Sequence, residues 1–273
     1  MARVASVGPH FGEEPPLTGR RGSATVFFSH CNLHCLFCQN HQISHEGLGE
    51  EFSAERLAAA FLKSQEMACH NVNLVTPTPW VPQILEALAL ACRQGLTLPL
   101  VYNSGGYDSI ETLKLLDGVI DIYLPDMKYG NDSAAARLSD VPDYVRVNRA
   151  AVREMFRQVG LLKVDRDGIA LSGLIVRHLV LPHGLAGSRE VFRFLADELS
   201  EYIAVSLMAQ YHPRHRACTV PELNRPISPE EYEQACRWFQ ESGLMHGYLQ
   251  SLAATETGLP DFTDREPFDW SSC

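Results

Sequence analysis

Residues 22–40 read GSATVFFSHCNLHCLFCQN. The run from Ala24 to Ser29 is apolar, β-branched and aromatic, the composition of a strand buried on both faces. It runs into a segment holding Cys31, Cys35 and Cys38 in a C-x3-C-x2-C spacing. In α/β folds the chemistry collects in loops at the C-terminal ends of parallel strands, so where these cysteines fall matters as much as their spacing. Three nearby thiolates can hold three irons of a [4Fe–4S] cluster, whose usual ligation is four cysteines. No fourth cysteine lies in the same loop. One iron would then stay open, as a catalytic metal position requires and a structural one avoids. The competing reading is a Cys3His zinc site completed by His30, His34 or His41.

Outward from this loop, strands are expected at Asn71–Val75, Leu98–Tyr102, Val119–Leu124, Leu174–Leu181 and Ala204–Met208. Helices are expected between them, over Ser53–Cys69, Trp80–Gln94, Ser109–Leu116, Asp143–Val159 and Ser188–Leu199. Ser228-Pro229-Glu230-Glu231 is a capping box with proline at the first helical position, opening a further helix to Ser242. Six βα units imply a parallel sheet with helical crossovers. Such a sheet is either doubly wound or curled into an incomplete barrel, and periodicity alone does not choose.

The chain has 273 residues, 45% of them apolar, and a net charge of −10. That composition excludes a disordered chain, a collagen-like chain and a disulfide-stapled scaffold. The N-terminal MARVASVGPHFGEEPP has no apolar signal core, and no stretch approaches the roughly 18 apolar residues of a membrane span. A cytoplasmic protein with reduced thiols and no membrane partner is expected. The acidic balance argues against nucleic-acid binding, which needs clustered Lys and Arg. The remaining cysteines, Cys69, Cys92, Cys218, Cys236 and Cys273, are expected to be small packing residues. His212, His215 and Cys218 form an H-x2-H-x2-C run without a clear fourth ligand.

The cysteine loop, with Phe37 before its third cysteine, resembles the signature of the radical S-adenosylmethionine (SAM) superfamily. Its surroundings resemble, more narrowly, homologues of the pyruvate formate-lyase activating enzyme. Five further segments agree: NLVTPTPW (73–80), YNSGGY (102–107), DIYLPDMKYG (121–130), RHLVLP (177–182) and LMAQYHP (207–213). Each lies at or just after an expected strand, so the resemblance spans about residues 18–250. It implies a partial (β/α)6 barrel over 18–250, with an N-terminal extension at 1–17 and a tail at 251–273. That tail is acidic through Asp261, Asp264, Glu266 and Asp269.

The resemblance also implies the chemistry. Cys31, Cys35 and Cys38 would bind one [4Fe–4S] cluster, and SAM would bind the open iron. One electron would split the sulfonium into methionine and a 5′-deoxyadenosyl radical, which takes hydrogen from a substrate. Phe37 would lie near the adenine. Thr76, Pro77 and Thr78 stand where the superfamily usually has a Gly-Gly-Glu strand end, so the acid that would meet the SAM amino group is missing. Asn103 and Ser104 would face the SAM carboxylate and ribose. Asp126 and Lys128 match an Asp-x-Lys motif, Lys128 toward the SAM carboxylate and Asp126 toward a cation or that lysine; the competing reading is a surface ion pair. Arg177 and His212 would line SAM or the radical's path. Arg177 and His178 are adjacent on one strand, so only one can face the interior; Arg177 is favoured. Gly105-Gly106 reads as a turn.

An electron donor such as flavodoxin or ferredoxin is implied, with a protein, peptide or small molecule as hydrogen donor. A glycyl-radical partner is one such substrate. The alternative is a non-catalytic iron–sulfur or zinc module on an α/β scaffold. No ferredoxin-like insert or cysteine-rich leading segment is present, so one cluster per chain is expected.

Overall fold

The computed structural model describes residues 1–252, 260–264 and 267–268. Strand β1 (Ala2–His10) leads through helix α1 (Pro15–Thr18) to β2 (Ser23–Phe28). Then come α2 (His41–Ser44), β3 (Glu50–Phe52), α3 (Ala54–Glu66), β4 (Val72–Val75), α4 (Val81–Arg93), β5 (Leu100–Ser104), α5 (Ile110–Leu115) and β6 (Ile122–Pro125). The second half holds α6 (Asp132–Ser139), α7 (Tyr144–Val159), β7 (Lys163–Val164), β8 (Ala170–Leu179), α8 (Ser188–Glu198), β9 (Ala204–Met208), α9 (Pro229–Glu241) and β10 (His246–Leu249).

The strand order is β10-β9-β8-β6-β5-β4-β2-β1-β3, with β7 hairpinned onto β8. All pairs from β2 to β10 along this path are parallel. The end strands β10 and β3 are not neighbours, so the six βα units form a partial (β/α)6 barrel. β10 is a seventh parallel strand with no counterpart in the expected pattern. Its four residues, HGYL, are mostly exposed at the sheet edge and carry no alternation. Residues 1–17, expected as an extension, supply β1, which pairs antiparallel with β2 from Val4↔Phe28 to His10↔Ser23. Gly8 and Pro9 interrupt its pattern, and both are depleted in strands.

Local chemistry fixes the helix starts. Ser53, Ser109 and Asn131 each accept a hydrogen bond from a backbone N–H three residues on, and the capping box at Ser228 and Glu231 is complete. Helix α7 buries Tyr144, Asn148, Ala151, Val152 and Met155, one stripe at helical spacing.

Side chains alternate across each strand and so build two layers. Outward-facing Val26, Leu74, Tyr102, Tyr123, Val176 and Val205 pack under the helices in the main core. Inward-facing Val101, Ile122, Leu124, Ile175 and Ala204 join Leu17 in a second cluster that fills the lower barrel. Each fully buried Leu, Ile or Val contributes about 1.5–3 kcal/mol. The described part of the tail packs beside α2. Asp261 accepts from Gln42 at 2.9 Å, and Phe262 and Phe268 each lie 5.3 Å from Phe27. Glu266 and Asp269 lie outside the described residues. Among the described residues no helix is long and apolar enough to cross a membrane.

Candidate functional site

The cysteine loop follows β2 at the C-terminal, upper end of the barrel. It has little regular structure of its own, so neighbours hold its backbone. His34 N donates to Ser139 O at 3.1 Å, Leu36 N to Leu138 O at 2.9 Å, and Arg216 N to Leu36 O at 2.9 Å. Helix α6, absent from the expected pattern, supplies two of these anchors from its C-terminal carbonyls, which have no partner within the helix. Ser139 also donates through Oγ to Cys35 Sγ at 3.0 Å and shares a 2.6 Å hydrogen bond with the Tyr129 hydroxyl.

Burial, then repulsion from Cys35, pushes Cys31 up to about 12 and Cys38 up to about 11. Without a positive partner these sulfurs are thiols at neutral pH. Iron supplies such a partner and takes thiolates, so the donor set fits an iron–sulfur group. Among the described residues no three His, Cys, Asp or Glu side chains are placed to hold one metal ion. That holds for the three cysteines themselves, each of which would bind its own iron of a cluster, and for His212, His215 and Cys218. His215 instead stacks on His41 at 4.9 Å.

The three cysteines line one side of a cavity of about 1040 Å³, counting the space open at its mouth. Facing them are the upper strand ends: Thr76 after β4, Asn103 and Ser104 on β5, Asp126 and Lys128 after β6, and Arg177 on β8. Phe37, Leu179, Leu181 and Met208 supply its apolar walls. Pro77, Thr78 and His212 are not among the lining residues. Thr78 turns its hydroxyl to the buried Asp108 at 2.8 Å, and His212 Nδ1 is buried without a hydrogen bond.

The Asp126–Lys128 pair lies inside the cavity, not on the surface. Lys128 Nζ is 2.5 Å from Asp126 Oδ2 and both side chains are about four-fifths buried (20% and 22% exposed). Burial pulls the lysine down, but Asp126 and Cys35 outweigh it and hold it above the usual lysine range. Arg177, the favoured one of the pair, faces the interior. His178 faces out, with Nδ1 on Met127 O at 2.7 Å and Nε2 on Ser188 Oγ at 2.8 Å, and burial pushes it down to about 4.

Sequence reasoning missed the support behind these groups. From α7, the Tyr144 hydroxyl reaches Gly105 O at 2.9 Å and Asp126 O at 3.0 Å, while Asn148 Nδ2 donates to Gly106 O and Asp126 O. Gly106 sits at φ +69°, and a Cβ there would be 2.2 Å from Asp126 O. It also missed Glu13 and Glu14, which pair with Arg177. The buried position of Asn148 on the helical stripe was a usable signal; FGEEPP offered none. Of the cysteines expected as packing, Cys69 is buried and Cys236 half-buried, but Cys92 and Cys218 are exposed. Cys92 lies on the solvent side of α4, whose buried stripe runs through Leu88 and Ala91. Cys273 is outside the described residues.

No protein-family model matches the chain. An uncharacterized protein of Methanocaldococcus jannaschii is 33% identical over 244 residues, covering 86% of this chain. The chain spans 66% of that relative's length. Among solved structures, a radical SAM methyltransferase from Sphaerobacter thermophilus is similar at a TM-score of 0.56 and 17% identity, over 83% of this chain and 66% of that one. Native anSMEcpe with bound AdoMet is similar at 0.53 and 12% identity, over 80% of this chain and 61% of that one. Methylornithine synthase is similar at 0.51 and 14% identity, over the same shares of the two chains. What these proteins share with this chain is the partial-barrel fold.

Proposed function

We propose that this protein is a radical SAM enzyme. One observation carries the reading: three cysteines of the first βα loop and the polar ends of four parallel strands meet around one cavity. Cys31, Cys35 and Cys38 hold a [4Fe–4S] cluster, and SAM occupies the cavity beside it. When bound, the cluster would supply one electron to split SAM into methionine and a 5′-deoxyadenosyl radical.

The chain's own residues bind, orient and exclude water. Lys128 is charged and faces the cavity, where it neutralises the SAM carboxylate. Asn103 offers a polar side chain for the ribose. Ser104 is less free, because its Oγ already donates to Asp108 at 2.7 Å. Asp126 is the one carboxylate among the described lining residues, so it stands nearest to the role of the acid missing after β4. The apolar walls keep water from a reactive radical. A one-electron carrier of the flavodoxin or ferredoxin kind supplies the reductant. The hydrogen donor is a glycyl-radical partner, a peptide or a small molecule, in the manner of the activating-enzyme branch.

Anaerobic reconstitution tests this. About four irons and four sulfides per chain are expected, with 5′-deoxyadenosine formed from SAM under dithionite. Cys31→Ala, Cys35→Ala and Cys38→Ala should each abolish that product. One zinc per chain with no SAM cleavage would leave a non-catalytic metal module as the better description.

A further inference from the structure

Arg177 is a cavity-lining group whose charge partners come from outside the βα units. After β1 the chain crosses the lower end of the barrel, and its Glu13 and Glu14 meet the guanidinium from below. Glu14 Oε1 is 3.0 Å from Nε and Glu13 Oε2 is 3.4 Å from Nη2. Both carboxylate side chains are almost fully buried. The layer beneath is apolar, built on Leu17, Ile122 and Ile175.

Burying three charges is expensive, and apolar residues of similar volume often serve stability better. Stability alone therefore gives no reason for the arrangement, but the cavity does. Two carboxylates lie in ion-pair contact along one edge of the guanidinium, with Nε and Glu13 Oε2 making no hydrogen bond, and leave Nη1 without a carboxylate while the side chain lines the cavity. They also cancel its charge. What remains at Arg177 is a set of N–H donors whose charge is balanced locally. Such donors suit a neutral oxygen acceptor and discriminate against free anions.

We propose that Glu13 and Glu14 are positioning residues that aim Arg177 at a neutral oxygen, a hydroxyl or amide carbonyl, of the molecule bound in the cavity, and keep free anions off Arg177. This rests on the radical SAM reading of the same cavity.

The test uses the reconstituted full-length enzyme with dithionite and SAM, reading 5′-deoxyadenosine, and inorganic phosphate as the anion probe. Glu14→Gln should lower kcat roughly ten- to a hundredfold, with a smaller change in KM for SAM. It should also make cleavage sensitive to phosphate, which leaves the wild type unaffected. In an Arg177→Gln background, Glu14→Gln should cost nothing further, because residues that act through one another are not additive. A merely structural role would lower the thermal midpoint, leave the kcat-to-KM split unmoved and give additive costs. Unchanged kinetics in Glu14→Gln, or additive costs, overturn the proposal. If the wild type itself yields no 5′-deoxyadenosine, it is the radical SAM reading that fails. The crystal structure of Glu14→Gln then decides the positioning role: a displaced Arg177 guanidinium supports it, and an unmoved one overturns it.

Discussion

At the rim of the barrel, Lys128 meets a carboxylate two residues away in the chain, and both groups keep about a fifth of their side-chain surface in solvent. At the floor of the cavity, on the strand beside Asp126, Arg177 meets two carboxylates that rise from the far end of the chain, only 5% and 3% exposed. The rim pair is local, wet and single, so it can be traded when a ligand brings its own charges. The floor set is distant, dry and threefold, so losing one member strands the others in a low dielectric. The two regions divide the work: one exchanges partners and the other holds shape.

The largest effect should come from the floor. Arg177→Met leaves two buried carboxylates without a cation and should cost about 3–5 kcal/mol in denaturant unfolding. Next is the rim backbone, which has no slack despite its wet side chains. Gly106→Ala would force a Cβ within 2.3 Å of Asn148 Nδ2 at a positive φ, and should cost on the order of 3 kcal/mol by the same measurement.

A pH titration separates floor from rim more finely. Burial pushes Glu13 up to about 7, with Arg177 opposing and Glu14 and Asp126 adding to it. The fold therefore prefers the protonated acid. That contribution is fully present below the ordinary value of about 4.5 and is lost as pH rises through 7. Relative to Glu13→Gln, the wild type should lose about 2–3 kcal/mol between pH 4.5 and 7.5. Parallel stability curves for the two proteins would show that the floor is wetter than its burial implies. The smallest effect should be at the rim ion pair, where Lys128→Met leaves one partly exposed carboxylate unpaired and costs about 1–2 kcal/mol in stability. A cost matching that of Arg177→Met would erase the distinction between the two regions.

Much of this was legible in the residues. The six strands and their helices follow from alternation, helical spacing and caps, because those signals are local. Alternation showed that only one of Arg177 and His178 could face inward, and the matching segment RHLVLP favoured Arg177. The cysteine spacing and its place after a strand marked the rim. The floor was hidden because FGEEPP looks like an exposed loop until Arg177 is placed above it. Helix α6 was missed because SAAARLS is short and weakly patterned, although it anchors the cysteine loop. Cys92 and Cys218 were misread because thiols are usually buried, and nothing in their neighbours marks the exposed side.

The span between the floor's partners also bears on the order of assembly. β1 and β2 are neighbours in sequence and can zip together early. The two glutamates they bring must then stay hydrated until β8 has been laid down more than 160 residues later, between β6 and β9. The barrel floor is thus expected to be among the last parts to dry. A folding intermediate with a paired N-terminal hairpin and an open, water-filled bottom should precede the native state.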